Sequence, residues 1–168
     1  MNGWDNPAYV LALVISNIIA LLIYYFARKI PRIARLLFFL LFAWAACTNL
    51  NMAMNRPQEY VSFADLAFLG IYKNFINGWF AQHGAFLIAA IAIGQLLIAL
   101  AMLWKGWVFK MGTIGGIIFL VAIIPLGVGS GFPFPIITAI AFYHLYRQKN
   151  VDILWKGNQH TLTDVYNR

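Results

Sequence analysis

Charge is the scarcest commodity in this chain. Asp, Glu, Lys and Arg make up 10% of its 168 residues, whereas soluble domains carry about 25%. Hydrophobic residues make up 62%, more than a soluble fold of this length can bury, so a bilayer must cover the excess. Cysteine is nearly absent. Cys47 stands alone inside an apolar run, which excludes an intrachain disulfide, a CxxC redox pair and a thiolate zinc site. Its expected role is that of a small buried hydrophobe. Acidic residues number five against twelve Lys and Arg, for a formal net charge of +7. These cations sit in short clusters between apolar runs rather than on one face, which marks membrane topology and argues against nucleic acid as a partner. The first residues lack a positive leader region, and the apolar run after them is too long for a signal-peptide core, so it reads as a retained span. No lipidation motif, internal repeat or low-complexity segment is evident.

What the chain has in abundance is apolar runs of membrane length. A bilayer core about 30 Å thick takes about 20 helical residues. Residues 8–27, 34–54, 81–103, 107–125 and 132–147 each supply one span, and 148–168 form a short polar tail. Asp5 and Asn6 before Pro7 mark the start of the first helix, and Pro31 separates the first span from the second. The fifth span is the shortest and reaches the minimum only with Phe132 and Pro133 included. Between the second and third spans, Ser62 and Asp65 match a capping box. Val61, Phe68, Tyr72, Phe75, Ile76 and Trp79 then recur at helical spacing. This predicts an amphipathic interfacial helix over 62–77, ended by Asn77 and Gly78. The expected fold is therefore an all-α membrane protein: five transmembrane helices with one amphipathic helix at the outer surface, forming a single domain over 1–147.

The cations orient this bundle. Arg28, Lys29, Arg32, Arg35, Lys105, Lys110, Arg147, Lys149, Lys156 and Arg168 fall on one side of the predicted membrane, and Arg56 and Lys73 on the other. The basic side should be cytoplasmic. That puts the N-terminus outside and the C-terminus inside, as expected for a bacterial inner-membrane protein.

Candidate chemistry gathers at the outer ends of the spans, in Asn49, Asn51, Asn55, Glu59, Tyr60, Asp65 and His83, with Gln95 deeper on the third span. Polar groups at membrane depth are costly and often functional. They could line a pocket for a quinone or lipid head group, or bond helices to one another. A Glu and a His suit acid–base work, but no nucleophile motif accompanies them, so no catalytic residue is assigned. His83 and His144 lie near opposite membrane faces and cannot share a haem. No metal site and no cofactor is expected. Gly112, Gly115 and Gly116 carry a GxxxG pattern that brings helices close, either within this chain or against a second copy. The glycines at 127, 129 and 131 lack the Lys and Ser/Thr ending of a phosphate loop and read as a flexible outer turn. Trp79, Trp104, Trp107, Tyr143 and Tyr146 read as an interfacial belt. Five spans without a repeat disfavour a transporter.

The stretch 36–146 resembles the DoxX-like group of small bacterial membrane proteins. It has a first helix ending in NLNMAMNRP at 49–57, then a surface segment and three closely spaced helices. The second of these carries glycine early, at Gly112 to Gly116. The resemblance implies a four-helix core to which the first span is an addition. Some members of the group are similar to subunits of quinone-linked oxidoreductases, and related folds bind sterols or other lipids. The paired carboxylates of the sterol-binding relatives are absent here, which puts sterol isomerisation in doubt. The expected function is a non-catalytic accessory or partner-binding subunit of a membrane assembly. Its partners would be membrane lipids and either other subunits or its own copies. The alternatives are a binder of an apolar ligand at the outer mouth and, third, a membrane enzyme using Glu59 or His83.

Overall fold

A computed structural model describes residues 7–148 and 151–154. The predicted helix start at Asp5 and Asn6, and the tail from Trp155 onward with Lys156, His160 and Arg168, lie outside the described residues, as does Lys149. Six α-helices are present among them: α1 (Pro7–Lys29), α2 (Pro31–Asn55), α3 (Gly70–Phe75), α4 (Ala81–Leu103), α5 (Gly106–Ile123) and α6 (Phe134–Tyr146). No strand occurs among the described residues. The first four long elements, counting α3 to α4 as one, are long and apolar enough to cross a bilayer, and α6 is a shorter apolar helix.

Five of the helices close into a ring in the order α1, α2, α4, α5, α6 and back to α1. The α2–α4 contact is the most extensive. Small buried residues allow it: Ala34, Ala46 and Ala53 on α2, and Gly84, Ala92 and Ala99 on α4. In a membrane, where lipid is as apolar as leucine, close backbone approach of this kind drives association. Leu11, Ile18, Leu22, Trp44, Phe86, Leu97 and Ile118 point outward, an apolar exterior that water would not tolerate. The chain is an integral membrane protein built as an all-α bundle.

The ring has two cores. Near the Lys29–Pro31 and Leu103–Gly106 corners, its centre is filled by Ile23, Phe38, Phe42, Met102, Phe109, Leu120, Phe142 and Leu145. Phe38 stacks on Phe142 with centroids 3.7 Å apart, and Phe42 meets Phe142 edge-on at 5.6 Å. Such pairs add about 0.5–1.5 kcal/mol beyond area burial. The α5 glycines fit this core. A Cβ on Gly116 would lie 2.5 Å from the Phe142 ring, one on Gly112 would lie 2.3 Å from Ala101 Cβ, and one on Gly115 would touch Ile98 at 3.6 Å. All three therefore face neighbours in the same chain.

The second core, at the opposite end, is built from Ala53, Ala64, Ile76, Phe80 and Ile88. It exists because α6 is short. Its 13 residues span about 20 Å, leaving the far part of the fifth crossing to irregular chain. Asn17, midway along α1, donates to the Gly131 carbonyl at 3.0 Å, which sets the turn before α6 well below the end of α1. A 3-10 helix, Ile124–Ser130, leads into that turn, and another, Pro57–Leu66, packs over it. Gly127 has φ +61°, and a Cβ there would strike the Leu66 carbonyl at 2.6 Å. Only glycine meets both demands.

Three expectations fail here. The glycine-rich stretch is not an open turn, because no residue from 123 to 132 is exposed. Irregular backbone at membrane depth has to be covered by protein, and the 57–69 stretch covers it. Nor do residues 62–77 form one amphipathic helix. The 3-10 helix ends at Leu66, Ala67 is extended, and Phe68 N–H bonds the Pro125 carbonyl at 2.9 Å. The chain then re-enters helix at Gly70 and runs through a π-helical turn, Ile76–Phe80, into α4 without a stop at Asn77 or Gly78. Ser62 Oγ bonds the Glu59 carbonyl at 2.7 Å instead of capping a helix with Asp65. Of the predicted apolar face only Ile76 is buried, while Phe68, Phe75 and Trp79 face outward. The π turn places Ile76 and Phe80 inward in line with Gly84 and Ile88, so packing on α4 overrode the local pattern. Cys47 is also exposed, on the outward face of α2, rather than buried.

Candidate functional site

The polar residues foreseen at the outer mouth divide into one connected set and several local pairs. Asn49 occupies the α2 face that carries Ala46 and Ala53, and Gln95 occupies the α4 face that carries Ala92 and Ala99. Asn49 Nδ2 donates to Gln95 Oε1 at 2.7 Å, and Tyr60 OH donates to Asn49 Oδ1. One chain of hydrogen bonds thus joins α2, α4 and the 57–66 segment. Gln95 is 4% exposed, and burial raises the Tyr60 phenol above its ordinary value of 10.0. The Tyr60 ring meets Phe63 edge-on at 5.1 Å.

The remaining candidates stand apart from this clasp. Asn51 and Asn55, one turn apart, bond each other on the exposed side of α2. Glu59 pairs with Arg56 at 3.3 Å in the open, an ion pair worth little. His83 stacks on Trp79 with centroids 4.7 Å apart, its Nδ1 3.1 Å from the Trp79 carbonyl. Asp65 is exposed. Glu59 and His83 are each held by their own sequence neighbours, so the acid–base pairing has no support in the geometry. Among the described residues no three His, Cys, Asp or Glu gather in a metal-binding group.

A groove of about 450 Å³ lies beside the clasp, between Thr48 and Met52 on α2 and the 57–66 segment, which contributes Glu59, Tyr60, Ser62 and Phe63. Its lining joins the polar residues Thr48, Gln58, Glu59, Tyr60 and Ser62 to Met52 and Phe63. That volume and mixture suit a small amphiphile. Asn49 and Gln95 do not line the groove but brace Tyr60 from behind.

Sequence reasoning passed over two residues. Asn17 was hidden inside a run taken as wholly apolar, although a lone amide at membrane depth is a signal in itself. Arg35 was counted only as a topology marker. It is 3% exposed, and its Nε and Nη1 donate to the carbonyls of Met102 at 2.9 Å and Asp152 at 2.8 Å, while Nη2 donates to that of Trp104. Its guanidinium lies 4.7 Å over the Phe109 ring. Arg35 caps the C-terminal end of α4 and fastens the chain beyond α6, where Leu154 N–H also bonds the Leu103 carbonyl at 3.1 Å.

The fold and site define an α-helical membrane bundle with a polar clasp and groove at its mouth. No family model, no curated protein and no solved structure matches the chain.

Proposed function

We propose that this protein is a non-catalytic binder of a membrane amphiphile, a quinone or a lipid, held in the groove beside Tyr60. It acts in the bacterial cytoplasmic membrane with its N-terminus outside, as a DoxX-like bundle with one added span. The observation that carries this reading is the groove itself, whose lining sets Thr48, Glu59, Tyr60 and Ser62 beside Met52 and Phe63. The split of basic residues supports the orientation. Mass spectrometry of lipids and quinones extracted with the purified protein tests it. A groove-filling Thr48→Trp variant should lose the retained amphiphile while unfolding at the wild-type temperature. An unchanged ligand complement in that variant removes the reading.

A second reading, an accessory subunit docking a partner helix, draws support from Trp44. It sits in the middle of α2 and is 67% exposed, far from the membrane interfaces where tryptophan belongs. Crosslinking through a photoreactive residue at 44 in intact membranes tests this. Adducts with lipid alone would argue against a docked helix.

A further inference from the structure

The basic end carries a second cavity, of about 330 Å³, where α1 passes into α2. Lys29, Arg32 and Arg35 line one side, and Gln148 and Asp152 line the other. Among the described residues that line it, three cations stand against one carboxylate. Arg35 is nearly fully buried, and the partners of its guanidinium are neutral carbonyls, the one from Asp152 being its backbone oxygen. Those bonds satisfy its donors without cancelling its charge, and a buried cation gains from a nearby anion. The N-terminal end of α2, opening at Pro31, adds its positive dipole end at the same place. The apolar Ile30 and Ile33 are exposed beside the opening, a path for hydrocarbon chains at the depth where the helices leave the membrane.

We propose that this cavity binds a phosphate-bearing anion, of the kind presented by the head group of an anionic phospholipid. Lys29 and Arg32 contact the phosphate oxygens at the rim, and Arg35 supplies fixed positive charge from below. Gln148 and Asp152 offer acceptors to head-group hydroxyls. The occupant bridges the α1–α2 corner to the chain beyond α6. This site is independent of the groove near Tyr60, and either could fail without the other.

The test uses the full chain in nanodiscs of phosphatidylcholine doped with phosphatidylglycerol, with bound lipid counted by native mass spectrometry. Wild type should retain phosphatidylglycerol in preference to phosphatidylcholine. Each cation near a membrane surface contributes about fivefold in affinity, so Lys29→Gln with Arg32→Gln should weaken retention roughly 25-fold. A charge-matched control, Lys105→Gln with Lys110→Gln, removes two cations from the same end outside the cavity and should retain the lipid as wild type does. Both rim side chains are exposed, and unfolding followed in pure phosphatidylcholine separates any structural effect of the two substitutions from the loss of lipid. Inorganic phosphate distinguishes the source of the anion: displacement at millimolar concentration assigns the site to free phosphate, and resistance assigns it to the lipid. Equal losses in the rim variant and the control, or no preference in wild type, overturn the proposal by reducing it to diffuse surface charge.

Discussion

The two ends of the bundle are built on different principles. At the basic end, full-length helices meet around stacked aromatic rings, and connections are tight: one residue, Ile30, separates α1 from α2. At the opposite end two 3-10 helices, a π turn and glycines do the packing. The difference traces to the length of α6. A helix that stops about 10 Å short of a 30 Å core leaves a gap that regular helix cannot fill. The 57–69 chain folds inward to fill it, which also brings Tyr60 to Asn49. The groove and clasp are thus consequences of the irregular end, while the regular end supplies rigidity and, through Arg35, holds the chain after α6.

The largest expected break in this comparison is at Arg35. Arg35→Met leaves three carbonyls without their donor, and an unpaired buried polar group costs about 1–3 kcal/mol. With the Met102 carbonyl buried and the other two part-buried, we expect a loss of about 3 kcal/mol in unfolding free energy, measured by denaturant titration in mixed micelles. Arg35→Lys should recover only part of it, because an ammonium cannot reach three diverging carbonyls as the planar fork does. A Met variant as stable as wild type would mean that Arg35 is no structural clamp.

The second test compares glycines at the two ends. A methyl group on Gly116 would sit 2.5 Å from Phe142, and one on Gly129 would sit 2.6 Å from Phe63. The clashes look alike, but their neighbours differ. Phe142 is fully buried and locked in a stack, whereas Phe63 is half-buried and can swing away. Overpacking a locked core costs about 1–3 kcal/mol, so Gly116→Ala should fall in that range and Gly129→Ala below it. Gly94→Ala, with nothing within 4 Å of its Cβ, should be neutral or stabilise by up to about 1 kcal/mol. If the 129 variant proves the more damaging, the irregular end is the more tightly specified of the two.

The same contrast governs what could be read in advance. The long helices were legible because a membrane helix advertises itself by composition alone, and Pro31 and the cation clusters marked their ends. Asn49 and Gln95 were legible as amides in apolar runs, each being costly where it stands. The course of 57–80 was not, because tertiary contacts decide it. Phe68 bonds Pro125, and Tyr72 OH bonds the Ala122 carbonyl at 2.8 Å, partners some fifty residues away that no local period reveals. Asn51, Asn55 and His83 resembled pocket residues by depth alone, and only geometry shows each turned to a near neighbour. Arg35 carried two roles in one residue, and charge counting sees only the first.

The smallest effect, and the one that best probes the irregular end, concerns Tyr60. Tyr60→Phe removes one hydrogen bond, worth about 1 kcal/mol, and leaves Asn49 Oδ1 without that donor. The pH dependence gives the sharper reading. Burial raises the phenol above 10.0 in the folded protein, so folding favours the protonated form. The stability it contributes is complete below pH 10.0 and is lost as pH rises through the folded value. Wild type should therefore lose more stability than Tyr60→Phe as the pH rises past 10.0. Paired unfolding curves, with phenolate absorbance followed in both proteins, report this difference. Parallel curves would show that the Tyr60 hydroxyl is open to water, and the hydrogen-bonded chain through Asn49 to Gln95 would then end at the two amides.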